Sequence, residues 1–141
     1  MITIYTDGSF RKKISAASSA MLVVFDDGKL YIEHKYLGNR TNNYAELFAI
    51  KMALSWCYKQ KLLSEPIQIF SDSTYAIGIS TGQMNPKANK ELAEVANHLY
   101  QSFSNIKIEW VKSHSTNKYN KLVDTIANIA IDQHHNITQE Y

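Results

Sequence analysis

Asp7, Glu46, Asp72 and Asp124 are the residues whose type and placement could do chemistry. Asp7 follows the alternating segment Ile2-Thr3-Ile4-Tyr5-Thr6, and Asp72 follows a short apolar run, Ile67 to Phe70. Glu46 stands in the first turn of a segment with helical spacing, and Asp124 sits inside another. In open α/β sheets, functional groups gather outside the strand ends. Asp7 and Asp72 meet there if their strands are neighbours pointing the same way, and a helix start can bring Glu46 to the same rim. Carboxylates that close repel one another unless a cation neutralises them. Magnesium suits such a set, because it takes oxygen ligands, keeps waters and works with substrate phosphate. Two such ions about 3.5–4 Å apart can activate a water and stabilise the leaving oxygen of a phosphodiester. Taken singly, each acid also has a structural explanation. Asp7 before Gly8 fits a turn, and Glu46, three residues after Asn43, fits a capping box. Asp72 fits the cap of a following helix. Asp124, a poor helix-interior residue, fits a solvated helix face.

The elements that must position these acids can be read from periodicity. Ile2, Ile4 and Thr6 alternate with Thr3 and Tyr5, and the turn signal Asp7-Gly8-Ser9 predicts a strand ending at Asp7. Ala20 to Phe25 is apolar and β-branched, a second strand, and Asp26-Asp27-Gly28 predicts a hairpin turn. Lys29 to Tyr36 alternates again as a third strand. From Asn43 the period becomes helical through Leu47, Ile50, Leu54 and Cys57. Ile67 to Phe70 is a fourth strand, and a short helix follows to about Ile79 before Gly82 and Asn85-Pro86 break the chain. Leu92, Val95, Ala96 and Leu99 mark a helix, Ile106, Ile108 and Trp110 a fifth strand, and Leu122 to Ala130 a last helix. The polar tail after about residue 132 is expected to fray. Three strands suit an antiparallel meander, and the later alternation suits parallel additions with helices on the faces, an α/β arrangement.

Composition bounds the function classes. The 141 residues suit one domain over 1–141, large enough to bury a core without staples. No segment approaches the roughly 18 apolar residues of a membrane span. The start lacks the features of a signal peptide. Cys57 is the only cysteine, which excludes a disulfide framework and a cysteine-based zinc site and makes a cytoplasmic location the default expectation. A net charge of +2 permits a nucleic-acid partner without demanding one.

Local words narrow the reading. Tyr5-Thr6-Asp7-Gly8-Ser9, Thr41-Asn42-Asn43-Tyr44-Ala45-Glu46-Leu47, Ser71-Asp72-Ser73 and Trp110-Val111-Lys112-Ser113-His114 occur in this order, followed by Asn120 and Asp124. The ordered set resembles type 1 ribonuclease H over most of the chain. The resemblance implies the ribonuclease H-like fold, a five-stranded mixed sheet of order 3-2-1-4-5, with strand two antiparallel to its neighbours and helices flanking it. It implies that Asp7, Glu46, Asp72 and Asp124 bind two Mg2+ ions with substrate, Mn2+ being a substitute. It implies that His114, on a loop after strand five, assists proton transfer or product release. Thr41, Asn42, Asn43, Ser73 and Asn120 resemble the family's nucleic-acid contacts. As bare residues, the Thr-Asn-Asn run also fits a turn and cap, and Asn120 also fits a helix cap. The implied activity is endonucleolytic cleavage of the RNA strand of an RNA–DNA hybrid, leaving 5′-phosphate and 3′-hydroxyl ends, by a monomer.

Two departures from the family pattern stand out. The glycine-rich segment after the first aspartate is replaced by residues 10–20, where Arg11, Lys12 and Lys13 are candidate phosphate contacts or a solvated loop. The interval from Asp72 to Trp110 is too short for a basic protrusion, which predicts weak hybrid affinity. The competing readings are a resolvase or DNA-directed nuclease of the same fold and a non-catalytic hybrid-binding module. The Thr-Asn-Asn and Trp-Val-Lys-Ser-His segments weigh against the first. The four acids weigh against the second, because clustered negative charge facing phosphates serves no binding module.

Overall fold

The computed structural model describes residues 1–113 and 116–139, and of residues 135–139 the helical backbone alone. Five strands form one sheet: β1 (Ile2–Arg11), β2 (Ala16–Val24), β3 (Leu30–Gly38), β4 (Ile67–Ser71) and β5 (Ile106–Trp110). Their order is β3-β2-β1-β4-β5, with β2 antiparallel to both neighbours and β4 parallel to β1 and β5. This is the mixed sheet and strand order expected from the sequence. The helices are α1 (Asn42–Lys59), α2 (Thr74–Thr81), α3 (Lys90–Gln101) and α4 (Lys118–Gln139). No helix among the described residues is long and apolar enough to cross a membrane.

Strand one does not end at Asp7. Its register with β2 continues from Asp7↔Ala20 to Arg11↔Ala16, so Asp7-Gly8-Ser9 is strand interior and β2 begins at Ala16 rather than Ala20. The reversal is made instead by a single 3-10 turn, Lys12–Ile14, closed by Ser15 in the left-handed region at φ 48°. The physical reason is packing. Residues 16–20 of β2 are alanines and serines, all buried, and such small side chains let the sheet be covered closely on both faces along its whole length. The hairpin at Asp26-Asp27-Gly28 forms where expected, with Gly28 at φ 88° and Phe25 N donating to Lys29 O at 2.9 Å.

Helix boundaries follow their caps. Thr41, not Asn43, caps α1: its side chain accepts from Tyr44 N at 3.1 Å. Glu46 therefore sits in the second turn of α1 and closes no capping box. Ser73, not Asp72, caps α2, accepting from Ala76 N at 3.0 Å. Gly82 stops α2 in the left-handed region at φ 84°. α4 continues as helix through Gln139, past the residue near 132 where the sequence turns polar.

The sheet separates two cores. Ile4, Met21, Val23 and Ile69 on one face pack against Leu47, Ile50 and Leu54 of α1 and against α2 and α3. Tyr5, Ala20 and Leu22 on the other face pack against Val123, Ile126 and Ala127 of α4. Each fully buried branched side chain contributes roughly 1.5–3 kcal/mol. Because side chains alternate along a strand, Ile4, Thr6 and Gly8 face α1, whereas Tyr5, Asp7 and Ser9 face α4. That parity places the site.

Candidate active site

The parallel register Ile2↔Ile67 to Tyr5↔Phe70, continued two residues past its last pair, sets Asp7 level with Asp72. Thr6 Oγ1 donates to Phe70 O at 3.0 Å and anchors this end of the two strands. Gly8, on the opposite face, lets α1 approach: a Cβ there would lie 2.5 Å from Glu46 N and 2.6 Å from the Ala45 carbonyl carbon. At that distance Gly8 N donates to Glu46 Oε1 at 2.6 Å, and Ser19 Oγ donates to Ala45 O at 2.6 Å. Glu46 is thus pinned to β1 by the backbone of the residue after Asp7.

Oxygen atoms of Asp7, Glu46 and Asp72 all lie within 4.8 Å of one another. Asp124 joins them from α4, lining the same cleft. Asp7 is 6% exposed and Glu46 5% exposed, so their charges are poorly solvated. Burial first, then the charge of Asp72 and the hydrogen bond to Asp124, pushes Asp7 up to about 8. Burial first, then contact with Asp72 and the charge of Asp7, pushes Glu46 up to about 11. The pair retains protons at neutral pH unless a cation replaces them. Glu46 Oε2 is buried with no hydrogen-bond partner among the described residues. An orphaned carboxylate oxygen inside an all-oxygen donor set fits a hard divalent cation.

These acids floor a cleft of about 390 Å³ that is also lined by Gly8, Asn42, Asn43, Ser73, Thr74, Tyr75 and Ser113. A larger groove of about 560 Å³ between α1 and α3, lined by Arg40, Tyr44, Lys51 and Lys90 among others, holds no such cluster. Chemistry therefore selects the smaller cleft over the larger volume. Asp72 is held from two sides: Ser113 Oγ donates to Asp72 Oδ2 at 3.0 Å, and Trp110 Nε1 donates to its carbonyl at 3.2 Å. His114, the next residue, lies outside the described residues.

The sequence-derived nucleic-acid contacts fall in different parts of the structure. Asn42, Asn43 and Ser73 line the acidic cleft. Thr41 lines the adjoining groove, with Phe10, Arg40 and Asn89 among its neighbours, and Asn42 belongs to both. Asn120 is buried on α4, one turn before Asp124. Lys12 and Lys13 are exposed on the 3-10 turn. Arg11 is instead engaged with α4, pairing with Asp132 and donating to Asn128 O at 3.3 Å.

Sequence reasoning missed Gly8, read as a turn residue, and gave Ser113 and Tyr75 no role. For Gly8 a signal existed, since glycine inside a strand marks close backbone approach. For Ser113 and Tyr75 none did, because their place at the cleft depends on tertiary contact.

The sequence profile of the RNase H family matches residues 1–132. A ribonuclease H of Clostridium botulinum is 33% identical over 151 aligned residues, covering 94% of this chain and 96% of that protein. A ribonuclease H of Caldicellulosiruptor saccharolyticus is 31% identical, covering 94% and 97%. Among solved structures, RNase H1 of the archaeon Halobacterium salinarum superposes with a TM-score of 0.78 at 24% identity, covering 94% of this chain and 98% of that one. LC11-RNase H1, solved in complex with RNA/DNA hybrid, gives the same TM-score, identity and coverage.

Proposed function

The chain belongs to the RNase H family and is a ribonuclease H enzyme; from that premise we propose that it hydrolyses the RNA strand of RNA–DNA hybrids with two divalent ions, leaving 5′-phosphate and 3′-hydroxyl ends. The observation that carries the reading is the buried oxygen cluster of Asp7, Glu46 and Asp72 with its orphaned Glu46 Oε2. Asp7, Glu46, Asp72 and Asp124 would hold Mg2+, or Mn2+ in its place. When bound, such ions supply the charge that activates a water and stabilises the leaving oxygen.

The chain's own residues do the remaining work. Gly8 N fixes the Glu46 carboxylate, and Ser113 fixes that of Asp72. Asn42, Asn43 and Ser73, at the rim of the same cleft, would orient the RNA strand. The 2′-hydroxyl distinguishes RNA from DNA as both donor and acceptor, and amide and hydroxyl side chains can meet both roles. Thr41 in the adjoining groove would take phosphate, and His114 would move a proton or help product leave. We assign the protein a monomeric state and a cytoplasmic location, a setting consistent with its single, buried Cys57.

The test is cleavage of matched hybrid, RNA duplex and DNA duplex, each with and without Mg2+. Hybrid alone should be cut, only with the metal, and 2′-deoxy substitution around the scissile position should block cutting. Equal cutting of duplex DNA would favour a DNA-directed nuclease. Tight hybrid binding with no cleavage at any metal concentration would favour a binding module.

A further inference from the structure

β1 and α4 run past each other as a ladder. On β1, Asp7, Ser9 and Arg11 share one face, two residues apart. On α4, Asp124, Asn128 and Asp132 share another, four residues apart. Two strand residues advance roughly 6.6 Å and four helix residues about 6 Å, so the two series stay in step over three rungs. The first rung is Asp7 with Asp124, two carboxyls that line the same cleft. In the second, Ser9 Oγ donates to Asn128 Oδ1 at 2.8 Å. The third is the ion pair of Arg11 with Asp132.

The second rung has a defined polarity. Arg11 Nη2 also approaches Asn128 Oδ1, at 3.5 Å. With donors from Ser9 and Arg11 on the amide oxygen, the amide nitrogen must point the other way. There it donates to Asp124 O at 3.0 Å and stands 3.5 Å from Asp124 Oδ1. The longer contact is weak, but it limits how far the carboxylate can swing from Asp7. Of the four site acids, only Asp124 is carried by α4, on the far face of the sheet from α1, so its place beside Asp7 depends on how α4 is held to β1.

We propose that Asn128 is a positioning residue for Asp124, keyed by Ser9 and Arg11, and that the second and third rungs clamp α4 to β1 so that the site keeps its affinity for a divalent cation. This rests on the reading of Asp124 as a cation ligand. It also gives Arg11 a role other than phosphate contact. The third rung is half-exposed, where an ion pair contributes little, so Asn128 carries most of the effect.

The experiment is a calorimetric Mg2+ titration of the free protein, beside the Mg2+ dependence of hybrid cleavage and the thermal midpoint. Removing a partner that orients a metal ligand typically costs about 10–100-fold in metal affinity. Asn128→Ala should weaken Mg2+ binding about tenfold and raise the half-saturating Mg2+ for cleavage equally, with KM for hybrid at saturating metal within about twofold of wild type. Arg11→Met should weaken it less, and Arg11→Lys should restore part of the loss. Ser9→Ala, which removes one of the donors that fix the amide, carries the same test if Asn128→Ala does not fold. Unchanged Mg2+ affinity in Asn128→Ala overturns the proposal. So does an Arg11→Met variant that loses hybrid affinity and salt slope while binding Mg2+ normally, which would return Arg11 to phosphate contact. Asp124→Asn separates the two layers. If it binds Mg2+ like wild type, Asp124 is no ligand and the proposed cation site itself fails. If it loses Mg2+ while Asn128→Ala does not, only the clamp fails.

Discussion

Gly8→Ala tests whether the approach of β1 to α1 sets the site. The added Cβ would lie 2.5 Å from Glu46 N, 2.6 Å from Ala45 C and 2.9 Å from Ala45 Cβ, against ordinary contacts that start at 3.4 Å. The first two atoms are helix backbone, so no side-chain rotation relieves the clash, and α1 must retreat by roughly 1 Å. Leu47, Ile50 and Leu54 on the same helix are fully buried, so retreat also loosens the core they fill. Overpacking of this kind costs about 1–3 kcal/mol, and at about 2–4 °C per kcal/mol the thermal midpoint should fall by roughly 2–12 °C. The Gly8 N to Glu46 Oε1 bond at 2.6 Å cannot survive the shift. A misplacement of about 1 Å at a catalytic group costs on the order of 10²-fold in rate. The assays are thermal unfolding by circular dichroism and kcat on hybrid at saturating Mg2+. Gly28→Ala is the control: its Cβ meets nothing within 4 Å, but its φ of 88° strains an alanine, so it should lose stability and keep its rate. A Gly8→Ala protein with wild-type midpoint and wild-type kcat would falsify the claim that this contact positions Glu46.

Three further outcomes follow from the same geometry. Without metal, stability should fall as pH rises from about 4 to 8: the unfolded chain releases the protons of Asp7 and Glu46 near their ordinary values of 3.8 and 4.5, while the fold holds them to about 8 and about 11. Mg2+ should reverse that loss at pH 8 by binding the ionised cluster, and a metal-free midpoint that climbs over this range would refute the sign. Asp72→Asn should abolish hybrid cleavage, yet raise the metal-free midpoint by removing a charge that destabilises ionised Asp7 and Glu46; full cleavage by this variant would remove Asp72 from the mechanism. Lys12→Ala with Lys13→Ala should lower the salt slope of hybrid binding by about two, as expected if each exposed lysine neutralises one phosphate, and an unchanged slope would leave them as a solvated turn.

Periodicity and local words were enough for much of this protein. The switch from period two to 3.6 after residue 40 separated the meander from the helices. Ile67 to Phe70 was legible as a short strand, and between its two parallel neighbours it buries Ile67 and Ile69 and half-buries Gln68 and Phe70. Four acids in an ordered set of words pointed to one family, and the strand order came with that resemblance. Local signals also misled. Asp7-Gly8-Ser9 has turn chemistry, but pairing along β2 overrides it. Asn43 with Glu46 looks like a capping box, but Thr41 makes the cap and Glu46 turns to Gly8 N instead. The Asp7-Gly8-Ser9 turn signal also hid that β1 runs two rungs further, which pairs Arg11 with Asp132 on α4. Side-chain alternation and helical spacing are local properties, so the residue types and the elements that carry them are legible along the chain. Which oxygens converge is not legible there, because strand register, the close approach that Gly8 permits and the crossing of α4 over β1 are set by packing between segments far apart in the chain.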